Sequence, residues 1–160
     1  MYFDHGCRLR SWFSDTGHTI AFGPPDEECL RRQAALQNAL LTGAEHLSPG
    51  RPASAAAIAM NEVLISTGLK GFPHGHGIGL EVREYPILVP DSGLLIRDDF
   101  VSRPADLPLE IGMVVNLESA IWSSETNSVH IERSFVIENE GCRPLSDQPR
   151  DEPISISSGT

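Results

Sequence analysis

The sequence predicts an α+β fold with an antiparallel sheet. Strand-like segments are grouped before and after two consecutive helical segments, rather than alternating with them. Of 160 residues, 40% are hydrophobic and 21% charged, enough apolar content for a core in a domain of ordinary size.

The elements follow in order. Residues 1–9 and 11–22 read as two strands joined near Arg8–Arg10, and Gly23-Pro24-Pro25 stops the second. Asp26-Glu27-Glu28 places acids at a helix start. Leu30, Ala34, Leu36, Leu40, Leu41 and Ala44 then recur at helical spacing, predicting a helix over 26–46. Ser48-Pro49-Gly50-Arg51-Pro52 breaks it. A second helix runs over 53–67, and Gly68 closes it. Residues 70–86 are dense in glycine around two histidines, a pattern of close backbone approach or of a loop around a site. Residues 91–108 read as a loop or short strands. The runs 113–122 and 129–138 are β-rich, with a turn at 123–127. From Ser146 on, few apolar anchors remain, so 146–160 is expected to be a disordered tail behind a domain over 1–145.

Charge and cysteines exclude several functions. Asp and Glu total 22 against 12 Lys and Arg, a formal charge of -10. A nucleic-acid binder needs a basic face, and docking on anionic lipid needs one too. No apolar run approaches a membrane span, and the start MYFDHGCRLR has no signal-like apolar region. Cys7, Cys29 and Cys142 are far apart with no CxxC, which fits reduced thiols in a cytoplasmic protein.

Chemistry is sought in polar residues at apolar strand positions, because burying a carboxylate is costly unless it is paired or on a metal. Asp4 and Asp15, eleven residues apart, lie in successive strands and can face each other across a hairpin. His76 is held between Gly75 and Gly77. Glu118 interrupts the apolar run from Met113, and Glu132 lies in Val129-His130-Ile131-Glu132-Arg133. Taken singly, each also reads as a surface or ion-paired residue. Together, four carboxylates and one imidazole make an oxygen-rich set suited to hard or borderline divalent ions (Mn, Co, Fe or Zn). Bridging carboxylates can hold two such ions roughly 3.5–4 Å apart.

In this order, Asp4, Asp15-Thr16 with Thr19 and Gly23, Gly75-His76-Gly77-Ile78-Gly79-Leu80-Glu81, Gly112-Met113-Val114 with Glu118, and Ile131-Glu132 resemble the M24 metallopeptidase family. The family includes Xaa-Pro aminopeptidase, prolidase, methionine aminopeptidase and the metal-free relative creatinase. The resemblance implies the C-terminal part of a pita-bread fold: a curved antiparallel sheet with two consecutive helices. It implies two divalent metal ions held by Asp4, Asp15, His76, Glu118 and Glu132, with Asp15 and Glu132 bridging. The implied activity is metal-dependent hydrolysis of peptide bonds in a small peptide or amide substrate, of Xaa-Pro type. Glu118 would relay the proton, and His74, Arg83 and His130 join it as catalytic candidates. Dimerisation is common in the family, so the resemblance admits a homodimer.

Three positions depart from the family pattern. Where peptidase members carry a second His seven residues after the ligand His, this chain has Arg83, as a creatinase-like Arg-Glu pair would. Phe72 stands four residues before His76 where another His is common, with His74 near it but out of register. His130 stands where many members have Arg. The first ligand Asp comes at position 4, whereas members carry roughly half the catalytic domain before it. The chain is therefore expected to be an N-terminally truncated domain. An inactive remnant, or one that binds a partner, is the alternative that this length motivates. A creatinase-like amidinohydrolase stays open through Arg83. His74-x-His76-x4-Glu81 also partly matches the first cupin motif, but Leu88 replaces the glycine that motif expects.

Overall fold

The computed structural model describes residues 1–89, 95–98, 101–104, 106–122, 128–146 and 153–156. The chain opens with β1 (Tyr2–His5), β2 (Arg8–Leu9), β3 (Trp12–Phe13) and β4 (Thr16–Phe22). β1 and β4 form the expected N-terminal hairpin, and β2 and β3 form its separate two-stranded tip. The tip turns at Arg10 and Ser11, at φ 49° and 73°. Two consecutive left-handed residues match the twist that a tight hairpin demands, here without the usual Asn-Gly.

Two helices follow. α1 (Glu27–Ala44) is capped by Asp26, whose side chain accepts from the Cys29 N–H at 2.7 Å, with Glu27 and Glu28 in the first turn. Its buried side holds Ala35, Leu36, Ala39 and Leu40, but Leu41 is turned outward, and Gln33 and Gln37 lie inward. α2 (Ser54–Ser66) has no capping side chain from its own entry. Asp106 supplies one from 52 residues away, accepting from Ser54 N at 2.8 Å and from Ser54 Oγ at 2.7 Å.

The remaining strands are β5 (His74–Gly77), β6 (Glu84–Leu88), β7 (Leu95–Asp98), β8 (Val101–Pro104), β9 (Val114–Ile121), β10 (Val129–Glu138), β11 (Gly141–Pro144) and β12 (Ile154–Ile156). Among the described residues the main sheet has eight strands. Its order is β1-β4-β10-β9-β5-β6, with β11 on β10 and β12 on β4. All its pairings are antiparallel except that of β12 with β4. β7 and β8 form a hairpin of their own within the stretch expected to be a loop or short strands. The turn expected at 123–127 lies outside the described residues.

The disordered tail expected over 146–160 needs correcting at its one described segment. Ile154–Ile156 pairs in parallel with Ile20–Phe22, and Gly23 N donates to Ile156 O at 3.0 Å. The open backbone of β4 supplies the anchor that the composition of this segment does not.

Residues facing each other across β9 and β10 share a sheet face. One face carries Val115, Leu117 and Ile121 of β9 with Val129, Ile131 and Phe135 of β10. These pack with Leu36, Leu40, Met60 and Leu64 of the helices in one core. The opposite face carries Asn116 and Glu118 with His130 and Glu132. Gly75 shows why residues 70–86 are glycine-dense: a Cβ there would lie 2.2 Å from the Asn116 carbonyl oxygen of β9.

Candidate metal centre

Strand register assembles the site. One rung crosses five strands: His74 of β5 faces Glu118 of β9, Glu118 faces Glu132 of β10, Glu132 faces Gly17 of β4, and Gly17 faces Asp4 of β1. On the next rung His76 faces Asn116, and Asn116 faces Ser134. Asp15, immediately before β4, brings its Oδ2 to 3.7 Å from His76 Nε2. The register sets Asp4 against Gly17, two residues beyond Asp15.

His76 is wholly buried, and its two nitrogens differ. Nδ1 donates to Gly77 O at 2.9 Å, which leaves the Nε2 lone pair free. Nε2 has no hydrogen-bond partner, yet it lies 3.7 Å from Asp15 Oδ2 and 3.6 Å from Glu118 Oε1. A lone pair aimed at two carboxylates is electrostatically unfavourable unless a cation lies between them. Burial, opposed by the Gly77 hydrogen bond, lowers the pKa of His76, and so favours the neutral ring a ligand needs.

Glu132 is 3% exposed. Its Oε1 accepts from Asn116 Nδ2, and its Oε2 has no partner. Burial and the charges of Asp15, Glu118 and Asp4 push its carboxyl up to about 9. Asp15 is also raised, first by burial and then by Asp4. Gly17 leaves the room these groups occupy: a Cβ there would come within 2.8 Å of Glu132 Oε2 and 2.2 Å of the His130 ring.

Glu118 behaves oppositely. Burial opposes its ionisation, but His130, His74 and Arg83 outweigh burial and hold it well below the usual carboxylate range. His74 Nε2 lies 2.8 Å and Arg83 Nη2 2.9 Å from its Oε1, while His130 Nε2 lies 3.6 Å from Oε2. His74 also meets Phe72 O through Nδ1 at 3.0 Å, so both of its nitrogens are engaged.

Among the described residues, two groups bring three donor atoms within 4.8 Å of one another: Asp15, His76 and Glu132, and Glu118, His130 and Glu132. Glu132 belongs to both. Of the five residues expected to bind metal, four fall in these groups. Asp4 lies outside them on exposed β1, where it lines a cleft of about 220 Å³ with Tyr2, Phe72, His74, Glu118, Trp122 and His130. A larger cavity of about 550 Å³ opens where α1, β4 and β10 meet. It reaches Asp15 and His130, the smaller cleft reaches Asp4, Glu118 and His130, and the buried His76 and Glu132 line neither. Asn116 was not foreseen as part of the site. Its signal was a second polar side chain in an apolar strand, two residues before Glu118 and on the same face.

The antiparallel sheet, its two helices and this carboxylate–imidazole face define a protein of the pita-bread class. The profile of metallopeptidase family M24 matches residues 1–139, and the chain belongs to that family. It is 30% identical over 151 residues to the uncharacterized peptidase YqhT of Bacillus subtilis (strain 168), across 92% of this chain and 39% of that protein. A dipeptidase PepE structure from Mycobacterium ulcerans superposes with a TM-score of 0.81 at 26% identity, covering 98% of this chain and 39% of the other. An Xaa-Pro dipeptidase from Bacillus anthracis superposes with a TM-score of 0.79 at 27% identity, covering 97% and 41%. The chain thus spans about two-fifths of the length of these relatives. The family match displaces the cupin reading. No helix among the described residues is long and apolar enough to cross a membrane.

Proposed function

We propose that the chain carries the metal-holding part of a metal-dependent peptidase that cleaves Xaa-Pro-type amide bonds. One observation carries this reading: a buried imidazole nitrogen without a hydrogen-bond partner, His76 Nε2, faces two carboxylates, and a third carboxylate in the same cluster, Glu132, has its Oε2 unpartnered. Such donors fit divalent cations of hard to borderline character. Asp4, Asp15, His76, Glu118 and Glu132 are the residues that would hold two of them. Bound there, the cations would acidify a water and polarise the scissile carbonyl.

The chain's own groups do the rest. His74 and Arg83 occupy Glu118 Oε1 and leave Oε2 as the oxygen that can accept a hydrogen bond from the attacking water. Glu118 is thereby the group placed to accept the proton of that water and relay it. Arg83, 55% exposed along its side chain, can turn a second N–H toward a developing oxyanion but cannot exchange protons near neutral pH. Tyr2, Phe72 and Trp122 wall the cleft above this polar floor, an apolar surround suited to a prolyl ring. The family relationship and the similarity to a solved Xaa-Pro dipeptidase support the same substrate class.

A second reading, cation binding without turnover, is favoured by Arg83 on Glu118. Titration of the 160-residue chain with Mn(II) or Co(II), followed by assay on Xaa-Pro dipeptides, tests both. Near-stoichiometric binding with turnover is the expected result. Binding without turnover selects the second reading, and absence of binding overturns the metal centre.

A further inference from the structure

We infer that His130 is a metal ligand, so that each of two cation positions sharing Glu132 receives one imidazole. The inference rests on the metal-centre reading above and goes beyond it by adding a donor.

The residues are arranged for this. His130 is 5% exposed and Glu132 3% exposed, and donor atoms of Glu118, His130 and Glu132 lie within 4.8 Å of one another. Glu132 Oε2 has no hydrogen-bond partner, and neither has His130 Nδ1. The other ring nitrogen, Nε2, is 3.6 Å from Glu118 Oε2, longer than a hydrogen bond and leaving the pair open to a shared third body. The backbone under the ring is fixed. His130 N donates to Thr19 Oγ1 and Thr19 Oγ1 donates to His130 O, both at 2.9 Å, where β4 and β10 share only one ladder pair. Gly17 leaves the space into which the ring leans, and the Tyr2 ring, 5.4 Å away between centroids, walls the other side.

The competing role for His130 is a hydrogen-bond donor to Glu118 or to substrate. That role needs one ring nitrogen and explains neither the unpartnered Nδ1 nor the approach of the ring to Glu132. Ligation also has a consequence for selectivity. An imidazole in each position moves both toward the borderline metals Zn(II), Co(II) and Fe(II) and away from Mn(II) or Mg(II), which prefer all-oxygen sets.

The test is the proton NMR spectrum of the Co(II)-loaded chain. Each ligating imidazole contributes one contact-shifted, solvent-exchangeable ring N–H, whichever nitrogen binds. Two such signals are expected, from His76 and His130; one signal overturns the inference and leaves the metal centre standing. In parallel, His130→Ala is expected to lose one of two bound equivalents of Co(II) and to keep the other. Two equivalents bound with unchanged affinity would overturn it. If that variant does not fold, the count of signals in the unaltered chain decides. Failure of the unaltered chain to bind Co(II) removes the metal centre and this inference together.

Discussion

The two faces of the β9–β10 ribbon share one backbone ladder and almost equal burial, yet they are opposites. Leu117 and Ile131 on one face sit in the helix-covered core, at 0% and 2% exposure. Glu118 and Glu132 on the other sit at 5% and 3%. The core face gains from leaving water, by about 25 cal/mol per Å² of apolar surface. The other face loses by it, because its carboxylates crowd one another and three of its buried atoms, Asn116 Oδ1, His130 Nδ1 and Glu132 Oε2, go unpartnered. One face therefore holds the fold and the other is held by it. A one-residue slip between the strands would exchange their roles.

The largest effect should come from the core face. Leu117→Ala removes a fully buried side chain at the centre of β9 and is expected to cost about 2–5 kcal/mol, read as a lowered urea midpoint. If the faces are separable, the folded variant still binds cation with unaltered stoichiometry. Gly75→Ala comes next, at roughly 1–3 kcal/mol or more, because the new Cβ meets the Asn116 carbonyl of the neighbouring strand and backbone must move. Unlike Leu117→Ala, it should disturb both faces, since Gly75 lies between His74 and His76. Equal losses of stability with equal losses of cation affinity in the two variants would break the separation.

Glu132→Gln should act with the opposite sign. It removes a buried carboxyl crowded by Asp15, Glu118 and Asp4 while keeping an acceptor for Asn116 Nδ2. In the presence of a chelator the variant is expected to gain ~0.5–2 kcal/mol by thermal unfolding, as substitutions that relieve a functional site do. Cation affinity should fall sharply by calorimetric titration. A loss of stability would show that the carboxyl contributes to the fold, and the contrast between the faces would fail.

This contrast also decides what was legible in the sequence. Glu118, Glu132 and His76 stood out because a charged or polar residue inside an apolar strand violates the pattern around it, and the structure buries all three together. Asn116 lies in the same strand but has no chemistry of its own to announce. It became visible only when the register set it beside Glu132. Asp106 was unreadable as the cap of α2, because the partners are 52 residues apart. The rung from His74 to Asp4 depends on five strands meeting in one register, a property of pairing that no local window contains. β12 was missed for a related reason: Ile154–Ile156 is weak as a strand and acquires order from the backbone of β4.

The smallest effect concerns a carboxylate with no part in either face. Glu28 on α1 is lowered from 4.5 to about 2, chiefly by hydrogen bonds from Arg31 and also from Arg32, at 2.7 Å each at their shortest. Its side chain is 40% exposed, so solvent screens its contribution. The sign is nonetheless fixed. A depressed folded-state pKa contributes stability that is present above the unfolded value near 4.5 and is lost as pH falls through about 2. The gap in urea midpoint between the parent chain and Glu28→Gln should therefore be small but measurable near neutral pH, and should close as the solution is taken to about pH 2. A gap that widened on acidification would mean that the exposed pair opposes folding. Site carboxylates would then not be the only ones whose placement works against the core.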